Sequence, residues 1–298
     1  MTDTRIRPPR PRGRPGGRGR PINRRQRFGS SLRYLVLILL TGIFLIPFYL
    51  LVRNGLSSNA GITSPHWRFF PSVLQWGNIR ELFDDPSVPM LHSIYNSILI
   101  SVIQTAGAIL VASLAGYGLA RIPYRHANAV FVAILATLMV PAAVTFVPSF
   151  VLVSTLGWVS TLRGLIVPGL FQAFAAFLFR QYFLGFPREL EEAGRIDGLN
   201  YWGTFWRIVV PNSAPFFAAI STITFIASWN AFLWPLVIGQ NENSWTVQIA
   251  LSTFLTSQTV NLHELFIAAV FSILPLLVVF LGLQRFIVQG VEQTGING

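Results

Sequence analysis

The chain has 298 residues, 52% of them hydrophobic and 11% charged, with a mean hydropathy of +0.56; this is too apolar for an ordinary soluble domain. Its 22 basic residues are all arginine, set against 11 acids, and the sequence contains neither lysine nor cysteine. The missing lysine excludes nucleotide binding through a P-loop, and the missing cysteine excludes disulfides, thiolate metal sites and cysteine nucleophiles.

Residues 1–33 hold eleven arginines and one acid, Asp3, among repeated prolines and glycines. Such a segment cannot bury a core and is expected to be a disordered cytoplasmic tail. No aromatic residue interleaves the charges before Phe28, and the run ends directly at an apolar stretch. It therefore reads as a topogenic anchor against anionic lipid rather than a nucleic-acid-binding arm, and no nucleic-acid partner is expected. The apolar run that follows is too long for a signal peptide and lacks a small-residue cleavage site, so the segment is expected to be retained.

Six apolar stretches follow, at about residues 34–52, 91–118, 127–152, 164–184, 214–238 and 265–284. Each is long enough to cross the hydrocarbon core as a helix. Each interior is free of charge except near its ends, where Arg180 lies, as expected when a charge at mid-bilayer costs about 2.5–3.5 kcal/mol. A single stretch of this kind is compatible with a buried soluble helix; six in succession make an all-α membrane protein. With the N-terminus inside, eighteen arginines fall on the inner side and four (Arg53, Arg68, Arg80, Arg163) on the outer. That asymmetry places both termini, and the loop between spans four and five, in the cytoplasm. Residues 54–90 and 239–264 become outer segments. Pro141, Pro148, Pro168, Pro235 and Pro275 interrupt the later spans, as kinks or as breaks that line a cavity.

The loop of residues 187–211 is unlike its surroundings. It carries Glu189, Glu191, Glu192 and Asp197, four of the 11 acids, on a side of the membrane where loops favour arginine. Pro187 suits the first position of a helix, whose positive dipole end attracts acids in the first turn. Gly198 can take φ > 0 and end that helix, and Asn200 can cap a second one bearing Trp202, Phe205, Trp206 and Ile208 and stopping near Pro211. The expected form is helix, glycine corner, helix.

Candidate chemistry is sparse. His66, His92, His126 and His263 are scattered, and His263-Glu264 lacks the second histidine of a paired-ligand motif, so no metal site is expected. No Gly-x-Ser-x-Gly elbow occurs, and no carboxylate pair lies within a span. Without a mid-membrane ionisable residue for ion coupling, the energy source is a separate subunit or the protein is a passive pore. The uncharged groups Gln104, Gln172, Ser221, Thr222, Thr224, Ser228 and Asn230, with Trp229, suit the path of a neutral, hydroxyl-rich solute, although hydrogen bonding between helices is their commoner role.

The spacing Glu192-Ala193-Gly194, then Gly198, then Ile208-x-x-Pro211 resembles the EAA loop of ABC-importer membrane subunits. The usual form there is Glu-Ala-Ala, three residues, Gly, nine residues, Ile-x-Leu-Pro; Gly194 and Val210 depart from it. Residues Gly116 to Arg121, Ser228 to Leu236 (with Ala231 where an Asp is usual) and Gln284 to Gly290 are similar to phrases of the sugar-importer branch. The resemblance covers residues 34–298 and implies a six-span permease domain in a bacterial inner membrane, with 187–211 as its coupling loop. It implies a second homologous permease, two ATPase subunits and an extracytoplasmic solute-binding protein as partners, and a sugar as cargo. ATP and magnesium would be used by the ATPase, and this chain would bind no cofactor and catalyse no reaction. Glu189, Glu192, Ala193, Gly194, Asp197, Gly198, Ile208 and Pro211 become ATPase-coupling residues, with Ala193 and Gly194 allowing close approach of the partner. Gln104, Gln172, Ser228, Trp229 and Asn230 become candidates for the substrate path. A permease for a non-sugar solute and an ATP-independent channel or scaffold stay open as alternatives.

Overall fold

The computed structural model of the chain describes residues 24–256 and 261–294, with side chains at 33–255 and 261–286. Most of the expected tail, residues 1–23, lies outside the described residues. Residues 24–33, expected in that tail, already belong to the first helix, Arg24–Gly55. The chain divides into two compact units between Tyr49 and Leu50. In the first, the side chains from Tyr34 to Phe44 stand largely exposed, a surface suited to lipid.

The second unit is organised around the helix Met90–Arg121, which packs against Ala173–Leu184 and Ala214–Trp229; the last of these packs in turn on Leu262–Thr294. Small residues set how closely the first pair approach. Ala108, Ala112, Ala175 and Ala176 are buried, and a Cβ added to Gly116 would lie 2.6 Å from the Cβ of Phe179. Helices in lipid gain association energy from such close packing because no hydrophobic difference drives them together. At one end of this pair the core turns aromatic, with the rings of Tyr117, Phe183 and Phe205 against one another and Phe179 stacked on Phe183.

Among the described residues every regular element is a helix and no strand occurs. Four helical stretches are long and apolar enough to cross a bilayer: Arg33–Gly55, Met90–Arg121, Leu162–Leu184 and Leu262–Phe286. Two bent pairs raise the number to six. The predicted third span, 127–152, is one of them: Ala127–Leu138 and Ala142–Thr155 meet at 97°. Pro141 sits at the break in an extended conformation (φ −59, ψ 134), supplying no N–H to carry the helix forward. The predicted fifth span, 214–238, is shorter than expected. It ends at Trp229, and Leu233–Ile238 is a separate helix. The break falls ahead of Pro235 because a proline ring collides with the carbonyl four residues earlier, here Ala231. The other bent pair joins Tyr201–Asn212 to Ala214–Trp229 at 81°, and so links the acidic loop directly to a span.

Candidate functional site

The loop 187–211 is a two-armed elbow. Its first arm is Arg188–Ile196, with Glu189 and Glu191 in the first turn and Arg195 in the last, each at the helix end whose dipole favours its charge. Pro187 stands one place earlier than expected, as the capping residue rather than the first helical one. Gly198 has φ +83; its N–H bonds to the Arg195 carbonyl at 3.0 Å and the Leu199 N–H to the Gly194 carbonyl at 2.9 Å. These are the two bonds of a Schellman closure, which needs a left-handed residue where Gly198 stands. Asn200 then caps the second arm, its Oδ1 accepting the Gly203 N–H at 2.8 Å.

The second arm, Tyr201–Asn212, widens into a π turn at Phe205–Val209 just before Pro211. Pro211 cannot donate, and its ring needs room against the preceding turn, which a π turn provides. The carbonyl of Ile208 is satisfied from the side, by the Asn212 amide donating at 2.7 Å. The chain turns into the next helix at Ser213, two residues beyond Pro211, so the hinge is not Pro211 itself.

The elbow has two distinct faces. Glu189, Glu192, Ala193 and Asp197 are exposed, and Ile196 beside them is 88% exposed. Trp202 is exposed on the second arm. Gly194, expected on the partner-facing surface, is buried instead: a Cβ at this position would overlap the Cδ1 of Ile208. Gly194 and Ile208 are the contact at which the two arms pack. Pro211 is exposed.

On the inner face Glu191 is buried against the end of Met90–Arg121, where its Oε2 lies 3.6 Å from Arg121 Nε. Arg121 also donates through Nη2 to the carbonyl of Phe186. Burial raises the Glu191 pKa above the usual carboxylate range, and the positive charges of Arg121 and then Arg195 oppose that rise. A cavity of about 240 Å³ opens beside the pair, bordered by Arg188, Glu192 and Arg195, whose guanidinium lies 4.8 Å over the Tyr201 ring. Sequence reasoning did not single out the pairing of Arg121 with Glu191. Its trace was the surplus of acids in a loop where arginine is favoured.

The proposed path residues have separate partners in the fold. Gln104 donates to the Ile166 carbonyl at 3.3 Å, meeting the group freed where Leu162–Ile166 gives way to the 3₁₀ turn Val167–Gly169. Gln172 stands at the N-cap position of the helix Ala173–Leu184 after that turn, its backbone carbonyl accepting from Ala176 at 3.1 Å. Asn230, exposed past the end of Ala214–Trp229, accepts from Gln248 at 3.3 Å, and the neighbouring Ser228 keeps its Oγ buried without a partner. Trp229 is only 1% exposed, and its ring N–H donates to the Ser272 carbonyl at 3.2 Å. It anchors one helix to another.

Residues 108–293 match the family of inner membrane components of binding-protein-dependent transport systems, a stretch that takes in the end of Met90–Arg121, the elbow and the whole of Ala214–Trp229. The chain belongs to this family. It is a membrane-spanning permease subunit, and the likeness of its elbow to those of ABC importers agrees with that assignment. The permease is 32% identical to the arabinooligosaccharides transport system permease protein AraQ of Bacillus subtilis over 89% of its own length and 94% of the relative's. It is 33% identical to the lactose transport system permease protein LacG of Rhizobium radiobacter, covering 89% and 96%. The sn-glycerol-3-phosphate transport system permease protein UgpE of Pectobacterium atrosepticum is 31% identical over 85% and 93%. A chain from the crystal structure of a bacterial ABC transporter involved in alginate import has the same fold, with a TM-score of 0.76 at 22% identity over 89% of the permease and 98% of that chain.

Proposed function

We propose that the permease forms half of the translocation pathway for a sugar or oligosaccharide and is driven by a separate ATPase that grips its elbow. The other half is a second homologous permease. Two ATPase subunits lie on the cytoplasmic side with the elbow and both termini, and a solute-binding protein delivers cargo from outside. The chain itself binds no nucleotide or magnesium and performs no catalysis.

The observation that carries this reading is the division of the elbow into two faces. The inner face is fastened to the bundle through Glu191 and Arg121, and the two arms are packed on each other through Gly194 and Ile208. The outer face presents Glu189, Glu192, Ala193, Asp197 and the bare Ile196. An exposed isoleucine ringed by carboxylates fits a partner groove with an apolar floor and a basic rim. Force applied there reaches Ala214–Trp229 across the 81° bend and Met90–Arg121 across the ion pair.

The test is reconstitution of the complete transporter with its solute-binding protein in nanodiscs. Arabino-oligosaccharide, lactose and sn-glycerol-3-phosphate are offered separately, because the relatives carry those names. ATP hydrolysis is expected to rise with one of the sugars and to stay at its basal rate with Glu192→Lys, while the variant subunit still inserts. Stimulation by glycerol phosphate alone would move the cargo to phosphorylated polyols. Solute flux without any ATPase would replace the importer reading with a channel.

A further inference from the structure

His263 and Glu264 were set aside in the sequence for want of another ligand, and the fold supplies one. Glu81, in the helix Gly77–Asp84, comes to the head of the final helix, and single ligand atoms of Glu81, His263 and Glu264 all lie within 4.8 Å of one another. We propose that these three residues bind a divalent transition-metal ion of the zinc type, clamping the segment between the first two spans to the start of the last.

The orientation of His263 supports this. Asn59 Oδ1 accepts the His263 backbone N–H at 3.3 Å and faces its Nδ1 at 3.0 Å. The backbone donor fixes which end of the amide points inward, so Nδ1 must carry a proton and donate as well. Nε2 is then turned towards two carboxylates, 3.4 Å from Glu81 Oε2 and 4.0 Å from Glu264 Oε1. A neutral imidazole would aim a lone pair at negative charge, which is unfavourable unless a cation lies between them. An imidazole whose Nδ1–H is held by an oxygen while Nε2 points at a convergence of ligands is the usual arrangement around a metal.

Burial and size agree. Glu264 is 3% exposed at the head of an apolar span. Bonds of about 2.1 Å in a tetrahedron set neighbouring ligand atoms about 3.4 Å apart, the separation already present between His263 and Glu81. Nitrogen with carboxylate donors selects zinc or a related ion over calcium or magnesium, which prefer oxygen alone. Glu81 is more than half exposed, which gives the ion a route in. The Asn261 amide donates to Glu264 Oε1 at 3.1 Å and holds that carboxylate in place.

The test uses the full chain on a tag without histidine, stripped with chelator and dialysed against Zn²⁺ alone, with bound metal counted by elemental mass spectrometry. One zinc per chain is expected, and its affinity should fall at least tenfold in His263→Ala and in Glu81→Gln. The second substitution is at an exposed position, so a folding defect does not mask the result. X-ray absorption of the wild-type complex should show one imidazole among light-atom ligands. A wild-type chain that takes up no stoichiometric zinc, or zinc retained undiminished by both variants as an adventitious ion only, overturns the site.

Discussion

Arg121 closes the helix Met90–Arg121, Glu191 opens the first arm of the elbow, and their side chains meet at 3.6 Å with only 5% and 6% of each exposed. The pair joins two segments 70 positions apart in the chain. Its worth lies in position more than in energy. Removing two charges from water costs nearly what their attraction returns, so such a pair contributes little net stability while strongly penalising any arrangement that separates them. An elbow held this way moves together with the end of the helix that it touches.

Removing one partner should therefore be worse than removing both. Arg121→Ala leaves a carboxylate buried without its counter-charge, at a cost of about 3–5 kcal/mol. Arg121→Leu with Glu191→Leu replaces the pair by apolar volume and should recover most of that loss. Apparent unfolding temperatures in nanodiscs will show whether the double variant lies above the single one. Transport by the stable double variant should still fall, because the elbow is no longer tied to the bundle. Full uptake there would remove the pair from coupling.

Burial holds the Glu191 pKa above its unfolded value despite Arg121 and Arg195. The folded state then keeps this proton at a pH where the unfolded chain has lost it, so stability falls as pH rises through the window between the two values and recovers on acidification. Hydrogen exchange of the amides of residues 188–196, corrected for intrinsic rates, should slow as pH is lowered from neutral into the carboxylate range. Glu191→Gln should flatten that dependence.

The elbow was legible because its signals are local. Gly198 and Asn200 each specify backbone geometry within a few residues, and the structure places corner and cap where they predict. Pro187 and Pro211 gave the right neighbourhood and the wrong detail, since a proline forbids one hydrogen bond without dictating how the chain accommodates the loss. The 97° bend at Pro141 was visible as an interruption but not as an angle, which depends on what the two halves pack against. Trp229 read as a candidate path residue because it is an aromatic beside amide and hydroxyl side chains in the sequence. Its partner, the Ser272 carbonyl, belongs to a helix that no local rule brings near. Long-range pairing hid Arg121–Glu191 and the approach of Glu81 to His263 in the same way.

Gly198 should tolerate substitution in the order set by backbone strain alone. A Cβ there meets nothing within 4 Å, while φ is +83. Alanine should cost about 1–2 kcal/mol, the penalty for an ordinary residue in the left-handed region. Valine should cost more, and asparagine, which visits that region readily, less. Proteolysis at the corner, compared across the three variants, reads the order directly. Equal sensitivity in all three would show that the corner is not under conformational constraint.

Gly194 carries a different constraint, one of space. A Cβ would overlap only Cδ1 of Ile208, the end of a side chain that can rotate away, and the next nearest atom, Cδ1 of Leu199, is 3.4 Å off. Gly194→Ala should thus be close to neutral or stabilising, since alanine gains up to about 1 kcal/mol over glycine inside a helix. Gly194→Leu exceeds what rotation of Ile208 can relieve and should splay the two arms, lowering ATPase stimulation in the reconstituted transporter without blocking insertion. Ile208→Ala vacates the volume that the leucine needs, so the double variant should regain much of the lost coupling. Compensation between residues 14 positions apart would establish that their contact sets the angle of the elbow. Additive losses would mean that each acts on the partner separately.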